Sequence, residues 1–356
     1  MSIWNTRQRR GFSLIECCAV VLVLSMVGLT VGPSLQQVRS QMRGVASGSN
    51  LLSIGQGAGM YAADNQGRMF SYSWRAGEEY LMPDGRTRSF NSDQEAAAFQ
   101  NQEILQRRTG RVFGQTKIRS SSARIPHRRF SHLVLVDYLD EPLGSTRFVD
   151  PADANQLFWT ANPLEYLEDN NSLPYSNGIP NGYDSDSNWQ LTAVIQRWTF
   201  ASSYQNVPSA WQPDYPDPRY RPVQSTPHLF QGGNGIDLST GRFMNQLLFP
   251  SYKVWMFEEF DREGAEDPYF AYDQARSEKL MFDGSVNSWA SGDAYPSVVQ
   301  EEGFPYSVWE QSYLPLETFP IPLGGLGDST RLNQRYRWTF RGLIGVDYGP
   351  GDPDGR

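Results

Sequence analysis

Cysteine is almost absent from this chain. The only two, Cys17 and Cys18, are adjacent and close to the start. Neighbouring positions on a helix point in different directions, so a bridge between them is disfavoured, and everything downstream must hold together without a disulfide of its own. Histidine is nearly as scarce: His127, His132 and His228 are the full set, and none pairs at metal-ligand spacing. No G-x-S-x-G elbow occurs. Glu258-Glu259 with Asp261 could imitate a glycosidase pair, but adjacent acids read as a solvated edge. The expectation is therefore a protein that is not an enzyme and carries no cofactor. Positive charge is also short. The formal net charge is −8, which argues against nucleic acid as a partner. Arg107-Arg108, Arg111 and the stretch Arg119 to Arg129 read as solvated segments.

Aromatic residues, by contrast, make up 13% of the chain, and glycine and proline together number 55. Such a mixture suits short strands and many turns rather than a helical bundle. The expected fold class is α+β: a long N-terminal transmembrane helix and stem, packed on an antiparallel β-sheet globular domain with large loop-rich insertions.

The start of the chain has an unusual order of chemistries. Arg7, Arg9 and Arg10 precede Gly11-Phe12, and from Phe12 to Val31 the only charge is Glu16. Twenty helical residues at about 1.5 Å each reach roughly 30 Å, one hydrocarbon thickness. Positive charge beside a span favours the cytoplasmic side, so the rest of the chain should cross outward. An ordinary secretory signal also has a basic region and an apolar core, but here no convincing small-x-small cleavage site closes that core. A carboxylate inside an apolar segment is expensive and normally has a partner.

Arg9-Arg10-Gly11-Phe12-Ser13-Leu14-Ile15-Glu16, followed by the apolar run, resembles the processing and methylation site of type IV prepilins and type II secretion pseudopilins. The resemblance implies cleavage between Gly11 and Phe12 by a prepilin peptidase and N-methyltransferase, with methylation of Phe12. It also implies that Glu16 neutralises the terminal amine of a neighbouring subunit during assembly. Two opposite charges in a low-dielectric setting attract far more strongly than in water. Loss of the leader's three arginines takes the net charge from −8 to −11.

Beyond the span, Val31-Gly32-Pro33 should interrupt and kink the helix; a proline is common at the corresponding place in pilins and pseudopilins. Leu35, Val38, Met42, Val45, Leu51, Leu52 and Ile54 form one apolar stripe that can dock on a sheet. Gly44, Gly48, Gly55, Gly57 and Gly59 weaken the helix, and a bent stem is expected. Asp64, Asn65 and Gly67 end it, with Gly67 able to take a left-handed cap. The passage Asn50 to Phe70 is similar to one in large pseudopilin-like proteins. So are Leu247–Asp261 and Lys279–Trp289, the latter resembling their closing D-G-[SH]-V hairpin. Asp283-Gly284 between β-prone runs is a hairpin signal in its own right. Asp273 stands where that family often has a histidine.

Elsewhere, residues 93–107 read as a surface helix capped by Asp93. His132–Leu139 is a buried strand or short helix, Gln190–Phe200 is strand-like, Pro208–Pro227 is an extended loop, and Arg335–Ile344 is a last strand candidate. Asp184, Asp186 and Asn188 have the alternating oxygen ligands of a calcium loop, although the rest of an EF-hand is missing; an Asx-rich turn is the competing reading.

These expectations divide the chain into a leader (1–11), a transmembrane helix (12–32), an amphipathic stem (33–66) and an exported domain (67–356, insertion-rich over 85–245). The implied function is a pilin-like or pseudopilin structural subunit of a type II secretion pseudopilus or type IV pilus-like filament. It would sit in the inner membrane with its N-terminus in the cytoplasm. Its partners would be the prepilin peptidase, other pilin or pseudopilin subunits and the inner-membrane assembly platform, with no nucleic acid. The competing class is a membrane-tethered surface binding module, for carbohydrate or another ligand, that does not polymerise.

Overall fold

The computed structural model describes residues 13–110, 130–142, 144–161, 200–207, 214, 221–222, 230–231, 242–263, 269–299, 307–308, 310–313, 330–338 and 341–349. One helix dominates them. α1 runs unbroken from Leu14 to Asp64. Its backbone passes through Val31-Gly32-Pro33 without the expected interruption, because a proline deletes one hydrogen bond and the turns on either side retain theirs. The end is as expected: Gly67 takes a left-handed φ of 82°, and its N–H closes on the Ala62 carbonyl at 2.7 Å.

A short hairpin follows, β1 (Glu79–Leu81) with β2 (Thr87–Ser89). α2 (Asp93–Thr109) is capped by Ser92, one residue before the expected Asp93, and terminated by left-handed Gly110. The run 131–139 resolves as helix: a 3-10 turn, Ser131–Leu135, continues into α3 (Val136–Leu139). α4 (Ala154–Ala161), β3 (Tyr204–Asn206), β4 (Arg221–Pro222) and β5 (Phe230–Gln231) come next. β6 (Val254–Glu258), β7 (Lys279–Met281) and β8 (Val286–Asn287) complete a four-stranded antiparallel sheet with order β3-β6-β7-β8. Between β7 and β8 sits the expected hairpin: Asp283 Oδ1 accepts the Ser285 N–H at 2.9 Å, and Gly284 has a φ of 87°.

β9 (Val298–Val299) pairs with β10 (Ser307–Val308), and β11 (Glu310–Tyr313) with β12 (Thr330–Asn333). The last strand candidate is corrected here. Arg335–Trp338 and Gly342–Ile344 are 3-10 turns. Asn333 Oδ1 takes the Arg335 N–H at 2.9 Å, and Arg335 is left-handed with a φ of 45°, so the extended chain stops at Asn333. The strand expected over 190–199 and the acidic turn at Asp184, Asp186 and Asn188 lie outside the described residues.

The sheet is buried on both sides. One face packs Trp255, Met256, Leu280 and Phe282 against Leu51, Ile54 and Ala58 of α1 and against Phe70. The other packs Val254, Phe257 and Met281 against Phe270, Tyr336 and Tyr348. Successive strand residues point to opposite faces, so Leu280 faces the helix while Lys279 and Met281 face the second layer; Trp255 and Met256 share a face because the pairing of β6 with β7 shifts register between Val254 and Met256. The fold is thus mixed helix and antiparallel sheet.

The glycines of α1 serve closeness more than flexibility. A Cβ at Gly57 would lie 2.8 Å from Leu139 Cγ, and one at Gly55 would lie 3.0 Å from Leu280. Gly59 has nothing within 4 Å. Gly57→Val should therefore lower stability by about 1–3 kcal/mol through overpacking. Gly59→Ala should raise it by up to about 1 kcal/mol through helix propensity. Urea unfolding of the detergent-solubilised protein checks both; equal effects at the two positions would contradict the packing role.

Candidate functional site

Two ends of α1 hold the residues that bear on function. At the first, Ser13 and Glu16 form a reciprocal capping box. The Ser13 backbone N–H donates to Glu16 Oε2 at 2.8 Å, and the Glu16 N–H donates to Ser13 Oγ at 3.3 Å. The glutamate carboxylate is thus turned back onto the Ser13 backbone. The S-x-x-E spacing that encodes it is legible in sequence, and it gives Glu16 a local capping role beside the assembly role expected of it. Gly11 and Phe12 lie outside the described residues. Pro33 belongs to the α1 backbone, and its side-chain surroundings also lie outside them.

From Leu14 to Arg39 every described side chain of the helix is exposed. Leu14 and Ile15 are 81% exposed, Leu29 is 77% and Val45 is 75%. Val20 to Leu24, Met26, Leu35, Val38 and Met42 are all exposed as well, and so are Cys17 and Cys18. Ser40 Oγ donates to the Glu263 carbonyl of the globular part at 2.6 Å. Leu14 to Arg39 spans about 40 Å of helix at 1.5 Å per residue. Among the described residues, no helix is long and apolar enough to cross a membrane. The continuous run with described side chains, Leu14 to Met26, covers only about 20 Å.

The expected docking stripe is corrected by these exposures. Leu35, Val38, Met42 and Val45 point away from the head, and Leu52 is exposed. Only Leu51 and Ile54 of that stripe are buried. The face that meets the sheet is instead Ser47, Leu51, Ile54, Gly55 and Ala58, because small residues let the helix axis approach closely.

At this second end the helix is clamped by buried polar groups. Ser47 Oγ and Tyr204 Oη lie 3.1 Å apart. The Asn50 amide donates to the Val149 carbonyl at 3.1 Å and to Tyr204 Oη at 3.3 Å. Behind them Arg262 bonds Asp153 Oδ2 at 3.0 Å and Glu258 Oε1 at 3.2 Å, and Ser203 Oγ donates to Asp153 at 2.8 Å. Asp150 is buried in the same cluster, hydrogen-bonded to Glu258 and Ser47. Glu258, Glu259 and Asp261 are all buried, so the wet-edge reading of these acids is overturned. The strand that carries Glu258 is covered on both faces, which a run of adjacent acids does not reveal.

Three carboxyl groups around one guanidinium cannot all ionise cheaply in a dry site. Burial, then the hydrogen bond and charge of Asp150, push Glu258 well above the usual carboxylate range. For Asp150, burial raises, but the Glu258 hydrogen bond, the Arg262 charge, the Ala152 N–H and Ser47 together bring it down. Of the two, Glu258 is the group pushed towards its neutral form and Asp150 the one held towards its carboxylate. Burial and the same two acids push the Tyr204 phenol far up, leaving it a neutral hydroxyl.

Among the described residues, no group of three His, Cys, Asp or Glu side chains could hold a metal, and Asp184, Asp186 and Asn188 lie outside them. Arg107 and Arg108 both bond Asp137. Comparison with protein-family models, with curated proteins and with solved structures returns no match.

Glu258 has a raised folded pKa, so the stability that its proton contributes is complete below the ordinary value of 4.5 and is lost as pH rises through the raised value. Glu258→Gln keeps a hydrogen-bond donor that cannot ionise. Its urea midpoint should hold level on the alkaline side, where the wild-type midpoint falls. An unchanged slope in the variant would mean that Glu258 is not the group that titrates.

Proposed function

We propose that this chain is a pilin-like or pseudopilin structural subunit, inserted in the inner membrane, clipped after Gly11, N-methylated at Phe12 and polymerised through α1. The observation that carries the reading is the uncovered apolar arm. The exposed apolar side chains at Leu14, Ile15, Val20 to Leu24, Met26, Leu29, Leu35, Val38, Met42 and Val45 are more than an isolated soluble chain tolerates and mark an interaction surface. Its first half has the composition of a membrane span, and the run from Phe12 to Val31 has the length of one. Its second half, Leu35 to Val45, lies beyond that run and still lacks a cover from the head, as a stem packed among other stems requires.

The N-terminal turn supports the same reading. Glu16 lies four positions after Phe12, where cleavage would release an amine, and its carboxylate is turned back onto the Ser13 N–H. In a stack of stems the amine of one subunit and the glutamate of the next would exchange this local bond for an ion pair in low dielectric. The head then decorates the filament, and its role is mechanical or adhesive.

Mass spectrometry of the mature N-terminus should find N-methyl-Phe12, and an intact Met1 would remove the processing claim. Glu16→Ala should leave processing intact and abolish filaments in pull-down and electron microscopy of sheared surface material. Surface function that persists unchanged in Glu16→Ala would favour the non-polymerising tethered module instead.

A further inference from the structure

The geometry points to a covalent cross-link between Lys253 and Asp347, an isopeptide bond made by the chain itself within the folded head. Of the 31 Lys and Arg residues only Lys117, Lys253 and Lys279 are lysine. Arginine is this chain's default cation, and both lysines among the described residues are fully buried. The distinction matters chemically. A guanidinium stays protonated and is no nucleophile, whereas a buried lysine amine can shed its proton.

Lys253 Nζ and Asp347 Oδ1 are 3.2 Å apart, with both side chains completely shielded from solvent. Asp347 Oδ2 accepts the Val254 backbone N–H at 2.8 Å. The carboxyl group is thus fixed with one oxygen on a donor and the other facing the amine. Its own backbone is held too: the Asp347 N–H donates to the Tyr252 carbonyl at 2.9 Å, and the Tyr295 N–H donates to the Asp347 carbonyl at 2.8 Å. Burial pushes the Lys253 amine down and the Asp347 carboxyl up to about 6, although each partner opposes the shift of the other. Both move towards the neutral amine and neutral acid that amide formation needs. Lys279 lacks this arrangement. It donates to the carbonyls of Ser277 at 2.6 Å and Trp289 at 2.8 Å, and among the described residues no carboxylate lies within ion-pair distance of it.

The step balances without any added reagent. A proton passes from Nζ to Oδ1, and the freed lone pair adds to Cγ. The negative charge that develops on Oδ2 is met by the Val254 N–H, as in an oxyanion hole. A second Nζ proton moves to Oδ1, the Cγ–Oδ1 bond breaks, and one water leaves. The product is a secondary amide joining positions 94 apart in sequence, which fixes the C-terminal segment to the start of β6. No redox chemistry is involved, in a head that has no cysteine to staple it.

Intact-mass measurement of the full chain, purified from membranes in detergent, tests this directly. The wild type should be lighter by one water than its covalent sequence, a tryptic digest should contain the Lys253 and Asp347 peptides joined, and Lys253→Arg should restore the full mass. Asp-Gly sequences such as Asp283-Gly284 also lose water by cyclising to a succinimide. A deficit that persists in Lys253→Arg, or that vanishes under mild alkali, would overturn the proposal. So would a wild-type mass at its full value with no joined peptides, since this measurement does not depend on any variant folding.

Discussion

Everything in this molecule hangs on how the last third of α1 is seated against the four-stranded sheet. A helix that leaves its first half bare must be held firmly by its second, and two different mechanisms hold it. Leu51, Ile54 and Ala58 bury apolar surface against Leu280, Trp255 and Phe282, which supplies the bulk of the stabilisation. Ser47 and Asn50, reaching Tyr204 and the Val149 carbonyl, supply direction. Hydrophobic contact alone tolerates sliding by a turn, whereas hydrogen bonds from fixed positions do not.

The acids behind that seat follow the same division. Asp150, Asp153 and Glu258 gathered around Arg262 contribute less net stability than well-packed apolar residues of similar size would, because each charge has been taken out of water. Removing one member nevertheless leaves the others uncompensated, so the array enforces a single geometry. The push of Glu258 towards its neutral form relieves the charge of so acidic a cluster. Lys253 with Asp347 is a second buried pair of opposite charge type, at the start of β6, where it fixes the C-terminal turns.

Legibility in the sequence tracked distance along the chain. The cap at Gly67, the Asp283-Gly284 hairpin and the length of the N-terminal apolar run are local, and each follows from a few adjacent residues. The Ser47–Tyr204 contact spans 157 positions and the Arg262–Asp153 contact 109, so no window of sequence contains either. Periodicity misled in one instructive place. Leu35, Val38, Met42 and Val45 form a sound apolar stripe, but spacing cannot say whether a stripe faces its own domain or something else. The glycines carried the missing information: Gly44, Gly48 and Gly55 mark the side of the helix that Glu278, Val286 and Leu280 approach closely. The run at Arg335 misled for a different reason, since its strand-forming residues are overruled by one left-handed backbone position.

The unbroken course of α1 has a geometric consequence of its own. Each residue of an α-helix advances the chain by 1.5 Å and turns it by about 100°. With no hinge assigned between Glu16 and Ser47, the compass bearing of the head about the stem axis is set by the residue count between them. Inserting a single residue into Arg39–Arg43 would lift the head by little more than an atom's width while swinging it through more than a quarter of a circle. The arm is therefore a phase-setting shaft as much as a spacer, and its length is constrained far more tightly in angle than in reach.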